Sequence, residues 1–222
     1  MQKASREKIA LAVFALLAVL SLVGLGWYIL VGHSWNVAAS TIDDTMGEME
    51  GYTAILYKGT LEQDNADEGS ASSRKDALSD KEAEPVDFEA LEVEYQEKGA
   101  EVLVIDMDNL SQYEEGMIVK RGSKRIGVMS AQDSVTQLDV SRCMSAFESA
   151  QVDFTVVITP DSWKIQRIGG IDIALCLNDE DIAPMGAVQD DTFYVDAPVE
   201  GDAGVILVSP SNVVSAKEVS NA

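Results

Sequence analysis

From residue 87 onward the chain is built on short, unbroken apolar runs: "AEVLVIDM" (100–107), "KRIGVMSA" (124–131), "VDFTVVITP" (152–160) and "GIDIALCL" (170–177). Runs of this length and character belong to strands covered on both faces. Amphipathic stretches lie between them. Phe88, Leu91 and Tyr95 fall on one helical face, and Gly99 ends that helix as glycine commonly does. Ser134 and Gln137 have the spacing of a capping box, ahead of Val140, Met144 and Phe147 at helical intervals. Strands alternating with helices predict an α/β domain, a layered sheet with helices on its faces. "GYTAILYKG" (51–59) adds a strand, and "DTFYVDA" with "AGVILVSP" is expected to close the sheet as an antiparallel pair.

The N-terminal part obeys a different constraint. No charged residue occurs from Ile9 to Gly32. As a helix this run extends roughly 36 Å, enough to cross a bilayer core. Trp27, Tyr28 and Trp35 fall where an interfacial aromatic belt lies. Lys3, Arg6 and Lys8 precede the run and the next lysine is Lys58, so the positive-inside bias places the N-terminus in the cytoplasm. A cleaved signal peptide is the rival reading. Its apolar region would be about 7–15 residues long, shorter than this run, although "NVAAS" (36–40) offers small residues for a cut. The expected organisation is therefore a cytoplasmic tail (1–8), a single transmembrane helix acting as signal anchor (9–32) and a membrane-proximal segment (33–50). An extracytoplasmic α/β domain (51–215) and a tail (216–222) follow. Within the domain, residues 61–86 hold eight acidic residues and no aromatic one, a composition that predicts a disordered acidic insertion.

Sixteen Lys+Arg stand against 38 Asp+Glu, a formal net charge of −22. That charge repels phosphate backbones and excludes nucleic acid as a natural partner. Cys143 and Cys176 are expected as small buried apolar residues, one on a helix and one on a strand; pairing in an oxidising compartment is the alternative.

In α/β sheets, ligands sit beyond the carboxyl ends of the strands. The ends here read Lys58-Gly59-Thr60, Asp106-Met107-Asp108-Asn109, Thr159-Pro160-Asp161 and Asn178-Asp179-Glu180-Asp181. Oxygen donors are abundant and histidine is absent; the only histidine, His33, lies beside the apolar run. There is no G-x-S-x-G, no glycine-rich phosphate loop and no C-x-x-C. Trp163, Lys164 and Arg167 in "PDSWKIQR" form a small basic and aromatic patch, a candidate partner surface or ordinary exterior.

"GIDIALCLNDE" is similar in spacing to the strand that ends G-G-H-x-H in calcineurin-like metallophosphoesterases, above all the 5'-nucleotidase-like branch. "EYQEKGAEVLVIDMDN" resembles the helix and strand that end in that family's G-N-H-[DE]. "GMIVKRGSKRIGVMSA" resembles the hairpin that follows, "AQVDFTVVITP" the strand ending in a metal-binding histidine, and "DDTFYVDAPVEGDAGVILV" the terminal strands. The resemblance covers residues 52–58 and 87–210 and implies a metallophosphoesterase-like fold. It also implies a two-metal site, and there this chain departs from it. The ligand positions hold Asp106, Met107, Asp108 and Asn109, then Pro160, then Asn178 and Glu180. The D-x-H of the first strand has no counterpart after Tyr57.

Two ions about 3.5–4 Å apart need imidazole and carboxylate together, and this set has no imidazole. The expectation is a membrane-anchored, non-catalytic pseudoenzyme domain that binds a protein or ligand at the cell envelope, with no catalytic residue and no cofactor. Three alternatives stand beside it. Asp108, Asn178 and Glu180 form an oxygen-only Ca²⁺ or Mg²⁺ site, supporting phosphoester hydrolysis; the same residues are a solvated acidic loop; or the chain is a structural envelope protein working through its acidic insertion.

Overall fold

The structure, a computed structural model, describes residues 48–61 and 85–221. The expected transmembrane helix, with His33, and nearly all of the acidic insertion lie outside the described residues. No helix among the described residues is long and apolar enough to cross a membrane.

Among the described residues, ten strands form two sheets. The first has the order β10-β9-β1-β2, from β1 (Thr53–Lys58), β2 (Glu101–Ile105), β9 (Ala203–Val208) and β10 (Val214–Val219). The second runs β3-β4-β5-β6-β8-β7. Its strands are β3 (Met117–Arg121), β4 (Lys124–Ser130), β5 (Phe154–Thr159), β6 (Ile173–Cys176), β7 (Ala187–Gln189) and β8 (Thr192–Asp196). β1 and β2 are parallel, as are β4, β5, β6 and β8. Helix α1 (Phe88–Glu97) and helix α2 (Gln137–Ser149) complete the domain.

Strand side chains alternate between faces, and this alternation builds the layers. Ile55, Tyr57, Leu103 and Ile206 of the first sheet share one core with Val128, Val156, Ile173 and Val195 of the second. The intervening residues face outward. Ala54, Leu56 and Val102 pack under Leu91 and Tyr95 of α1. Met129, Val157 and Ala174 pack under Val140, Met144 and Phe147 of α2. The result is helix, sheet, sheet, helix: two sheets where the apolar runs predicted one layered sheet. Each large side chain so buried contributes about 1.5–3 kcal/mol. Gly127 of β4 lies beneath the Phe147 ring, where a Cβ would meet Cδ2 at 2.6 Å.

Three expectations need correction. "DTFYVDA" and "AGVILVSP" do not pair with each other: β8 lies parallel to β6, and β9 runs antiparallel between β1 and β10. The chain crosses between sheets after β8, where the Ala197 N–H donates to the Cys176 carbonyl and the Pro198 carbonyl accepts from Thr60 and Leu61. Burial on both faces marks a strand without naming its neighbour. The cap of α2 is Thr136, with Asp139 completing the capping box, and Ser134 instead donates to Glu114 Oε1 at 3.2 Å. The boundary expected at 215 falls inside β10, whose Ala216 is buried.

Gly99, with φ of +84°, ends α1 as predicted. The described ends of the insertion are fixed: Leu61 bridges to Val199, and the Val86 N–H donates to the Gly201 carbonyl. Met49, at the end of the expected membrane-proximal segment, is fully buried beneath α1.

Candidate functional site

The carboxyl ends of β1 and β2 carry Lys58 and Asp108. Asp106 caps the 3₁₀ segment Met107–Tyr113, its Oδ1 accepting the Asp108 N–H at 3.2 Å and its Oδ2 accepting from Gln112 Nε2 at 3.2 Å. The Asp108 carboxylate faces outward at 82% exposure and meets Lys58 Nζ at 3.5 Å. A pair this exposed contributes little.

The ends of β5, β6 and β8 form a second, tighter group. Thr159, fully buried, donates through its hydroxyl to the Asp161 carbonyl. Asn178 Nδ2 donates to Asp161 Oδ1 at 2.8 Å. Glu180 Oε1 accepts the Ser162 N–H at 2.6 Å. Asp179 Oδ1 accepts the Asp181 N–H at 2.9 Å, and Asp181 takes the left-handed conformation that this turn requires (φ +59°). Asp196, the last residue of β8, accepts through Oδ2 from the backbone N–H groups of Glu180 and Ile182 at 3.3 and 2.8 Å.

Asn178 and Glu180 are thus brought together with Asp161 and Asp196, while Asp108 has its contacts with Lys58 and its own loop. Among the described residues no three His, Cys, Asp or Glu side chains are grouped as a metal ion needs. At the positions expected to ligate, Pro160 offers no ligand atom, Asn178 Nδ2 donates to Asp161, and Glu180 Oε1 accepts a backbone N–H.

Sequence reasoning passed over Asp196. It ends an apolar strand just as Asn178 does, so the strand-end rule points to it. Its Oδ1 is buried without a hydrogen-bond partner among the described residues. Burial raises its carboxyl above the usual range, the Ile182 and Glu180 N–H groups pull it back, and Asp179 and Glu180 push it up again. Burial, and then Glu180, Asp196 and Asp161, likewise raise the Cys176 thiol. Tyr57, Asp196, Gly204 and Lys217 border a cavity of about 30 Å³, the scale of one water molecule and far below the roughly 300–1,000 Å³ of small-molecule sites. Cys143 and Cys176 are both unbridged and buried, one on α2 and one on β6.

The fold and these strand ends define an α/β protein of two face-packed sheets whose terminal carboxylates hold neighbouring loops. No protein-family model matches the chain, and no curated protein matches its sequence. Among solved structures, one that it is similar to is the Thermus thermophilus sulfate thiohydrolase SoxB in complex with glycerol. The identity is 13% and the TM-score 0.41, over 60% of this chain and 30% of that one, so the likeness covers less than a third of that protein.

Proposed function

We propose that the chain is a membrane-anchored, extracytoplasmic binding domain of metallophosphoesterase-like architecture that performs no hydrolysis. The observation that carries this reading is the engagement of the strand-end oxygens. Glu180 Oε1 accepts the Ser162 N–H, Asp196 Oδ2 accepts the Glu180 and Ile182 N–H groups, and Asp161 Oδ1 accepts from Asn178 Nδ2. Acceptors that fix loop backbone in this way are structural. The uncharged run from Ile9 to Gly32, with Lys3, Arg6 and Lys8 just before it and no lysine or arginine after it until Lys58, supports the anchor and its orientation.

An oxygen-only Ca²⁺ or Mg²⁺ site at Asp108, Asn178 and Glu180 is the competing proposal. It has to draw on the second carboxylate oxygens, because Glu180 Oε1 accepts the Ser162 N–H and Asp108 Oδ2 pairs with Lys58.

The test is hydrolysis of a generic phosphodiester and of nucleotides by the full chain with Mn²⁺, Zn²⁺, Mg²⁺ or Ca²⁺. No turnover is expected. Metal-dependent turnover abolished by Asp108→Ala would overturn the reading. A reporter fused after Ala222 is expected to be active outside the cytoplasm; activity confined to the cytoplasm would refute the orientation. Envelope association that survives deletion of residues 61–86 would remove the basis for a structural role of the insertion.

A further inference from the structure

The turn after β5 presents an indole to solvent and is held rigidly while doing so. Trp163 is 59% exposed. On one side of it the Ser162 N–H is fixed by Glu180 at 2.6 Å; on the other, Lys164 Nζ is fixed by Asp133 at 2.6 Å, and Ile165 is buried in the core beneath α2. The rim of an open groove of about 420 Å³ is formed by this indole, by Gln166 and Arg167 beyond it, and by Gln137, Leu138 and Ser141 of α2. That volume falls within the range of small-ligand sites.

The chemistry of the groove is unlike that of the rest of the molecule. The chain has 38 Asp+Glu, yet among the described residues no Asp or Glu lines it. The side-chain amides of Gln137 and Gln166 and the Arg167 guanidinium have no partner among the described residues, and Ser141, which donates to the Gln137 carbonyl at 2.9 Å, keeps its oxygen lone pairs free. Arg167 stands in the left-handed region (φ +70°), an uncommon conformation for a residue with a side chain.

A flat apolar plate ringed by two side-chain amides, a hydroxyl and the Arg167 guanidinium, all of which can bond hydroxyl groups, suits a ligand with a C–H face and a hydroxyl rim. A pyranose ring has that form. An apolar peptide side chain would match Trp163 and Leu138 and would leave the two amides and the serine unmatched.

We propose that this groove binds a neutral oligosaccharide, with Trp163 stacking on a pyranose face and Gln137, Gln166, Ser141 and Arg167 bonding its hydroxyls. The proposal rests on the binding role given above and names its ligand class.

The experiment is calorimetric titration of the full chain in lipid nanodiscs, since glycosidic detergents would compete. The probes are cellotetraose, maltotetraose and tetra-N-acetylchitotetraose. Saturable binding of at least one is expected. Trp163→Ala should weaken it by about tenfold or more, as removal of a central aromatic anchor does, with the melting temperature unchanged. Gln137→Ala and Gln166→Ala should each weaken it by about 2–10-fold. No binding of any probe at millimolar concentration overturns the proposal, as does equal binding by Trp163→Ala. A photo-crosslinker at position 138 that captures a protein in intact cells, with all three sugars inert, would make the groove a protein-docking surface instead. None of these outcomes bears on hydrolysis, so the ligand class and the non-catalytic reading fail separately.

Discussion

Glu180, just beyond β6, accepts the backbone N–H of Ser162 at 2.6 Å, so the acidic end of one strand fixes the turn that follows its neighbour. A charged acceptor on a part-buried amide is worth about 1.5–3 kcal/mol. Glu180→Ala is therefore expected to destabilise the domain by about that amount, read as a lower urea midpoint at constant m. It should also weaken sugar binding, because Trp163 follows Ser162 directly. An unchanged midpoint would show that the contact adds nothing.

The cap of α2 gives a paired comparison. Thr136 Oγ1 accepts the Asp139 N–H, and Asp139 Oδ2 accepts the Thr136 N–H. Thr136→Ala should cost about 0.5–2 kcal/mol, whereas Ser134→Ala should stay within about 0.5 kcal/mol. Thermal melts of the two variants decide between them. The hydrogen bonds from Thr136 hold the Asp139 carboxyl below its usual range. Its contribution is thus complete above the unfolded value of 3.8 and lost as pH falls through the lower folded value.

Asp196 has the opposite sign. Burial raises its carboxyl above 3.8 in the fold, so the folded state holds the proton more tightly. Stability associated with this group is full below 3.8 and falls as pH rises through the folded value. Asp196→Asn, which cannot ionise, should gain stability relative to the parent as pH rises through that interval. Urea titrations at a series of pH values test this; parallel curves for the two proteins would refute it.

Packing allows little substitution between the sheets and the helix. A Cβ at Gly204 of β9 would meet the Tyr57 ring at 2.1 Å, so Gly204→Ala is expected to cost about 1–3 kcal/mol through overpacking. Phe147→Ala should cost about 3–5 kcal/mol through the cavity it leaves. Chemical denaturation of both variants provides the check.

Much of the fold was legible because its central strands are buried on both faces. "TAILYK", "FTVVIT" and "AGVILV" leave no polar alternation to mislead. The short β7 is wholly exposed, and β10, "VSAKEV", carries lysine and glutamate, so neither announces itself as a strand. The partner of β8 was not legible, because register and neighbour are decided by the crossing at Ala197 and Pro198. At the strand ends the oxygen-rich positions could be read. Which atoms they hold could not, since Ser162, Glu180 and Asp196 meet only after three loops converge. The same limit hid Asp196, whose buried Oδ1 is evident only in three dimensions.

On the reading proposed above, the strand-end oxygens serve the loops and hold no catalytic metal pair. Calorimetric titration of the full chain with Mn²⁺, Zn²⁺, Ca²⁺ and Mg²⁺ tests it most directly. No saturable binding of a transition-metal pair is expected. Two tightly bound Mn²⁺ or Zn²⁺ ions, lost in Asp108→Ala or Glu180→Gln, would contradict it.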